Sequence, residues 1–322
     1  MQDRMQGDSK VLELAYAAIF GTLFPLFKFA ARSFSHRERG FEIAAQVANA
    51  FMALRPKYLD AIRANQAQIL GLREDHPEVE RVAREMVRQH ACAWVDFFYF
   101  GQREASEALA TFDTLEGAEH LETVLAEGKG GILLTAHAGN FELGGLLLRA
   151  RELEVHAVYQ PDRFEAVERL RTGIRARGGV IGIPVDGKGF STLPLVKVLR
   201  EGKLVGMQGD RDFSLNGVSV PFFGREVHFP RGPWELAAMT GAPILTSFFW
   251  TDEEMRFHAS FGAPIHIRGG RGERMEEIAQ GMRTYAGHLE HLIRKHPSQW
   301  YCFYPFWDDP ERLKSSRSPH SI

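Results

Sequence analysis

The sequence predicts an α/β fold, with a mainly parallel central sheet flanked by helices and an N-terminal helical region before it. Two observations carry this. From Gly130 onward, short apolar runs alternate with helical stretches of about a dozen residues, the rhythm of right-handed crossover units. Before that point the apolar residues recur in steps of three and four, as on one face of a helix. We therefore expect a helical region over residues 1–125 in which a membrane-interface anchor is one reading, an α/β core over 126–310, and a flexible tail over 311–322. With 322 residues, 44% hydrophobic and 25% charged, the chain has enough apolar side chain for a full core and too much for long disorder. A net charge of −2 provides no basic field of the kind a nucleic-acid binder shows.

In chain order, Ala15 to Phe27 is almost wholly apolar but shorter than the ~18–20 residues a spanning helix needs. Glu13 interrupts its start and Pro25 breaks its end. An interfacial anchor is the preferred reading, beside a short membrane helix extended by its flanks and a core helix. Lys28, Arg32, His36, Arg37 and Arg39 follow as a basic cluster, suited either to anionic lipid or to a solvated turn. From Val79 to Phe98, Val79, Val82, Ala83, Met86, Val87, His90, Ala93, Trp94, Phe97 and Phe98 share one helical face. The run from Gly130 through Ala136 reads as a buried parallel strand. Strands follow at Val155–Tyr159, Val180–Ile183, Lys203–Gln208, Val218–Phe223 and Pro243–Trp250. Helices are expected at Asn140–Arg151, Phe164–Arg177, Leu193–Arg200, Gly232–Met239 and Glu273–His296.

The chemistry concentrates in Thr135-Ala136-His137-Ala138-Gly139-Asn140-Phe141-Glu142. His137 stands just past the carboxyl end of a buried strand, where open α/β sheets place their ligand crevice. Gly139 and Asn140 suit a tight turn and a helix start, so Glu142 falls in the first helical turn, from which it can fold back toward the imidazole. The plainer reading is a capping histidine beside a glutamate that favours the helix dipole. Asp210-Arg211-Asp212 follows another strand end. Two acids at that spacing suit a divalent metal, as in a metal-dependent glycosyltransferase, or acceptor positioning, or pairing with arginines.

Other sites find no support. No G-x-S-x-G nucleophile elbow occurs. Gly182 to Lys188 matches most of a phosphate-binding loop, but Gly189 stands where a magnesium-binding Ser or Thr is needed, and Pro184 removes an amide donor. His156, His228, His258 and His266 show no ligand spacing. The two cysteines, Cys92 and Cys302, are likewise unspaced for a metal and read as buried reduced thiols, which suits a cytosolic compartment. No metal and no cofactor is expected.

The segment TAHAGNFELGG resembles the HxxxxD/E block of the glycerolipid acyltransferase superfamily. Within it the chain is most similar to the lipid A biosynthesis acyltransferases, the lauroyl/myristoyl transferase group, whose relatives include phosphatidylinositol mannoside acyltransferases. Arg63-Ala64-Asn65, Tyr159-Gln160-Pro161, Arg175-Ala176-Arg177-Gly178, Leu199-Arg200-Glu201-Gly202, GDRDFSLNGVSVPFFG and PRGPWELAAMTGAPIL resemble further family blocks in the same order, over roughly residues 55–310. The near-neutral charge departs from the better-known lipid A enzymes.

The resemblance implies attack of a lipid hydroxyl on an acyl thioester carried by acyl carrier protein or coenzyme A. It makes His137 the general base and Glu142 its orienting partner. Asn140 and the backbone amides of the helix start would stabilise the oxyanion, and Arg175 would do so from further off or grip a phosphate or pantetheine group. Asp210 and Asp212 would position the acceptor. It also implies work at the cytosolic face of the inner membrane, peripheral or singly anchored, on a membrane lipid acceptor. Trp94 to Phe100 (WVDFFYF) then reads either as core or as lining for an acyl chain. Trp300 to Trp307 closes the core or rests at headgroup level. A fold kept for lipid binding without catalysis is the remaining alternative.

Overall fold

The computed structural model describes residues 37–162, 165–185, 192–212, 217–270 and 272–307. The apolar segment Ala15–Phe27, the basic residues Lys28, Arg32 and His36, the turn at 187–189 and the tail from 311 lie outside the described residues.

Three helices open the described chain: α1 (Arg37–Leu54), α2 (Pro56–Leu70) and α3 (Pro77–Phe100). Prolines begin α2 and α3, where a missing N–H costs nothing. His76 Nδ1 accepts the Glu78 N–H at 3.1 Å to cap α3, and Gly71 ends α2 in the left-handed conformation. The face expected from Val79 onward is buried as the spacing predicts, at Val79, Val82, Ala83, Met86 and Val87. Its continuation through Val95, Phe97, Phe98 and Phe100 is buried too, with Asp96 among them.

A short helix α4 (Ala105–Leu109) leads into β1 (Phe112–Glu116), α5 (Ala118–Ala126), β2 (Gly131–Thr135), α6 (Phe141–Ala150) and β3 (Val155–Tyr159). Next come α7 (Glu165–Arg177), β4 (Val180–Pro184), α8 (Leu193–Arg200) and β5 (Leu204–Gln208). A hairpin of β6 (Val218–Phe222) and β7 (Arg225–Phe229) precedes α9 (Gly232–Thr240), β8 (Ile244–Thr251), β9 (Phe257–Phe261) and α10 (Arg274–Lys295). The seven-stranded sheet has the order β1-β9-β8-β2-β5-β3-β4. Strands β8, β2, β5, β3 and β4 are parallel, while β9 pairs antiparallel with β8 and parallel with β1. The mainly parallel α/β architecture and its helical N-terminal region are thus present.

Three strands, β1, β7 and β9, were not expected from the sequence. β9 buries Phe257, Ala259 and Phe261 alternately, the period-two signature of a strand with one covered face, in a run too short to stand out. β1 keeps Asp113 and Thr114 exposed at the sheet edge and has no continuous apolar run to betray it.

β2 lies at the middle of the sheet with its interior residues Ile132, Leu133 and Leu134 almost fully buried. The chain leaves it toward β3 and β4 on one side, and β5 later returns to the position between β2 and β3. The carboxyl ends of β2 and β5 therefore sit side by side where the strand order switches, the position at which such sheets bind ligands. The register pairs Thr135 with Gln208. Two residues further along each chain stand His137 and Asp210.

The last described segment covers this end of the sheet. Trp300, Tyr301, Cys302, Phe306 and Trp307 are all buried; Tyr301 packs with Met52, Ile62 and Met86 of the N-terminal helices, and the other four pack with Phe222 and Phe229. Both ends of the aromatic run close the core, so a headgroup-level position for Trp307 is not what the fold builds. Cys302 is buried as expected and Cys92 is half-buried; burial pushes the Cys92 thiol up to about 12 and the Cys302 thiol to about 11.

Candidate active site

His137 lies in the five-residue loop between β2 and α6. The loop is fastened on both sides. Gly139 donates its N–H to the Gln299 carbonyl at 2.6 Å, and Asn140 donates its N–H to the Phe249 carbonyl of β8 at 3.0 Å. Tyr301 donates to the His137 carbonyl at 2.8 Å, and Ala138 forms a bridge with Trp300. Gly139 has φ +57°, and a Cβ there would fall 1.7 Å from the Phe249 carbonyl oxygen. No other residue fits.

The Asp210 carboxylate receives the imidazole. His137 Nδ1 and Asp210 Oδ1 are 2.8 Å apart, and the His137 backbone N–H donates to Asp210 Oδ2 at 3.1 Å. The Trp300 indole N–H donates to that same oxygen, also at 3.1 Å. Asp210 is wholly buried. Burial alone would raise its carboxyl, but the His137 imidazole, Arg211 and the Trp300 bond hold it well below the usual carboxylate range. An ionised carboxylate can only accept, so the proton of neutral His137 resides on Nδ1 and the lone pair on Nε2. No hydrogen bond to a described residue occupies Nε2, and a quarter of the side chain is exposed. Burial and the nearby Arg211 push the imidazole below its ordinary value of 6.5, partly offset by Asp210.

Glu142 turns the other way. Arg175 Nε donates to its Oε2 at 3.0 Å, its Nη2 bonds Oε1, and Arg171 Nη2 approaches Oε1 at 3.5 Å. Burial would raise the Glu142 carboxyl, but the two guanidiniums hold it below its usual range. Arg175 is nearly buried, lies 4.6 Å from the centre of the Tyr159 ring, and has one nitrogen, Nη1, without a hydrogen-bond partner among the described residues. A cavity of about 310 Å³ beside it is lined by Tyr159, Thr172, Arg175 and Gly179 to Gly182.

A sequence profile of the family described as bacterial lipid A biosynthesis acyltransferase matches residues 4–308. The chain belongs to this family. Among relatives of the lipid A acyltransferase family, a phosphatidylinositol mannoside acyltransferase of Mycobacterium tuberculosis (strain CDC 1551 / Oshkosh) is 27% identical over 59% of this chain and 58% of its own length. One from Mycolicibacterium smegmatis is 22% identical over 77% of this chain and 79% of its own. A lipid A biosynthesis lauroyltransferase of Escherichia coli is 30% identical over 42% of this chain and 44% of its own. The chain thus spans under two thirds of the length of the first of these relatives.

Against that family pattern, the structure redistributes the roles read from sequence. His137 stands at the strand end as expected. Its partner is Asp210, not Glu142, because a side chain on the first turn of α6 projects toward α7 and its arginines. Asn140 also departs from expectation: its carboxamide Nδ2 donates to Asp96 at 3.3 Å and its backbone N–H to Phe249. Arg175 joins the site through Glu142. Asp212 Oδ2 accepts the Gly217 N–H at 2.8 Å, whereas Asp210 turns to His137 and Trp300. Asp210 already receives three N–H donors, a surrounding that suits an imidazole and leaves little lone pair for a divalent cation. Among the described residues no three His, Cys, Asp or Glu side chains converge as metal ligands.

Arg37 is a further correction. Its guanidinium is taken up in a two-pronged pair with buried Asp96. Four site residues were not picked out from sequence: Asp96, Arg171, Arg211 and Trp300. Only Asp96 carried a signal, as the single acid in an otherwise aromatic helical run.

Proposed function

We propose that the chain moves a fatty acyl group from an acyl thioester, carried by acyl carrier protein or coenzyme A, to a hydroxyl of a membrane glycolipid. The observation that carries this is the His137–Asp210 pair at the strand ends, with Nε2 bonded to no described residue and a quarter of the side chain exposed. His137 Nε2 takes the hydroxyl proton as the oxygen attacks the thioester carbonyl. Asp210 holds the Nδ1–H tautomer and stabilises the imidazolium. As the tetrahedral intermediate collapses, the carbon–sulfur bond breaks and the imidazolium returns its proton to the departing thiolate. The N–H groups of Phe141 and Glu142 at the start of α6, with the helix dipole behind them, serve the developing oxyanion. Arg175, held by Glu142, keeps Nη1 for a donor phosphate.

The relatives are named for phosphatidylinositol mannosides and for lipid A, so the acceptor class is a glycolipid. The work is assigned to the cytosolic face of the inner membrane. No described helix is long and apolar enough to cross a membrane, and attachment is assigned to the segment before residue 37.

The test is mass spectrometry of membrane lipids from cells with and without the gene. One lipid class should lack a single acyl chain in the deleted strain, with the chain restored by the wild-type gene and not by His137→Ala. An unchanged lipid profile, or full restoration by His137→Ala, overturns the reading.

A further inference from the structure

Asn140 occupies the N-cap position of α6, and asparagine there ordinarily accepts a bond from the first-turn amides. Here its side chain makes no cap bond. The carboxamide instead donates to Asp96 Oδ2. Asp96 is 1% exposed, and Arg37 grips it in a two-pronged pair, Nε to Oδ1 at 2.6 Å and Nη2 to Oδ2 at 3.1 Å. Arg37 is itself fixed: Nη1 donates to the Met255 carbonyl at 2.9 Å. Its guanidinium lies 4.7–5.5 Å from the centres of the Phe41, Phe100 and Phe257 rings. A charge pair buried this deeply in aromatic surroundings adds little net stability over an apolar pair of the same volume. It joins α1, α3 and the β8–β9 turn to the side chain that ends the His137 loop.

We propose that Asp96, locked by Arg37, is a positioning residue for the acyl-transfer site, holding the Asn140 carboxamide away from the start of α6 and fixing the loop that carries His137. The inference rests on the acyl-transfer reading for its consequence in catalysis, because a carboxamide released from Asp96 would cap α6 and cover the amides assigned to the oxyanion. The contact between Asp96 and Asn140 stands apart from that reading.

The experiment replaces the charge pair with an apolar one, Arg37→Met with Asp96→Leu, in the full chain. Amide hydrogen exchange at Glu142, followed by NMR, should slow about fivefold as Asn140 becomes a cap, and adding Asn140→Ala should restore fast exchange. Cleavage of palmitoyl-CoA in detergent micelles should lose at least roughly tenfold in kcat with KM unchanged, and recover on adding Asn140→Ala. Unchanged exchange at Glu142 overturns the positioning role whatever the activity. If the apolar pair does not fold, Asp96→Ala, which leaves no side-chain oxygen for Asn140, gives the same readout, and unchanged exchange there overturns it equally. Cleavage that survives His137→Ala sinks the acyl-transfer reading and leaves the exchange result to stand by itself.

Discussion

Asp210 grips His137 twice, one carboxylate oxygen on the imidazole and the other on the backbone N–H of the same residue. This double hold fixes the ring and the peptide that carries it as one unit. Asp210→Asn should therefore lose more than the charge. The amide can present an N–H to Nδ1, which favours the opposite tautomer and puts the proton on Nε2. We expect acyl transfer to fall by about 10²–10⁴ with the fold retained, measured as kcat against circular dichroism and melting temperature. A loss below threefold would remove Asp210 from the mechanism.

Glu142→Gln should act differently. It breaks a largely buried pair and leaves Arg175 without its anionic partner, a loss of roughly 3 kcal/mol or more. Denaturant unfolding should show that loss, with Asp210→Asn the more damaging of the two to kcat. Equal stability in Glu142→Gln and wild type would contradict the pairing.

The pH dependence follows from the imidazole. His137 lies below 6.5, so the protonation that disables the base occurs on the acid side of that value. The acid limb of the kcat/KM profile should therefore fall below pH 6.5. Arg211 is one cause of the depression, and Arg211→Gln should move that limb to higher pH. A limb that stays in place would show that burial alone sets it.

Trp300→Phe keeps the ring packed against Phe306 and removes one donor from buried Asp210. The cost should be about 1–2 kcal/mol, seen in kcat as a loss of roughly tenfold. No loss would mean that the two His137 contacts suffice to hold the carboxylate.

Gly139→Ala tests the backbone. The left-handed conformation alone costs about 1 kcal/mol or more, and the clash with the Phe249 carbonyl forces the loop away from β8. Activity should vanish while the sheet still folds, visible as native-like circular dichroism without thioester cleavage.

The position of His137 at a strand end was legible in the sequence: a glycine-bounded apolar run, a histidine, then a turn and a helix start. Its partner was not. Five residues of local spacing placed Glu142 within apparent reach, whereas Asp210 stands 73 residues away and arrives only through the parallel pairing of β2 with β5. Local periodicity gives strands and helices but no strand order, and the site is made by strand order. The same limit concealed Arg37, whose place among charges before a helix suggested solvent or lipid, and whose burial depends on α1 packing across α3. Strands β1 and β9 were lost because their runs are short and half-polar.

The loop that carries His137 is pinned by Gln299, Trp300 and Tyr301, residues made after every strand of the sheet. A ribosome-bound chain can complete β2, β5 and their pairing while the imidazole still lacks half of its fastenings. Chemical competence should therefore appear only after residues 299–301 have emerged and folded onto the sheet. A protein stopped short of residue 299 should keep most of its sheet and transfer nothing.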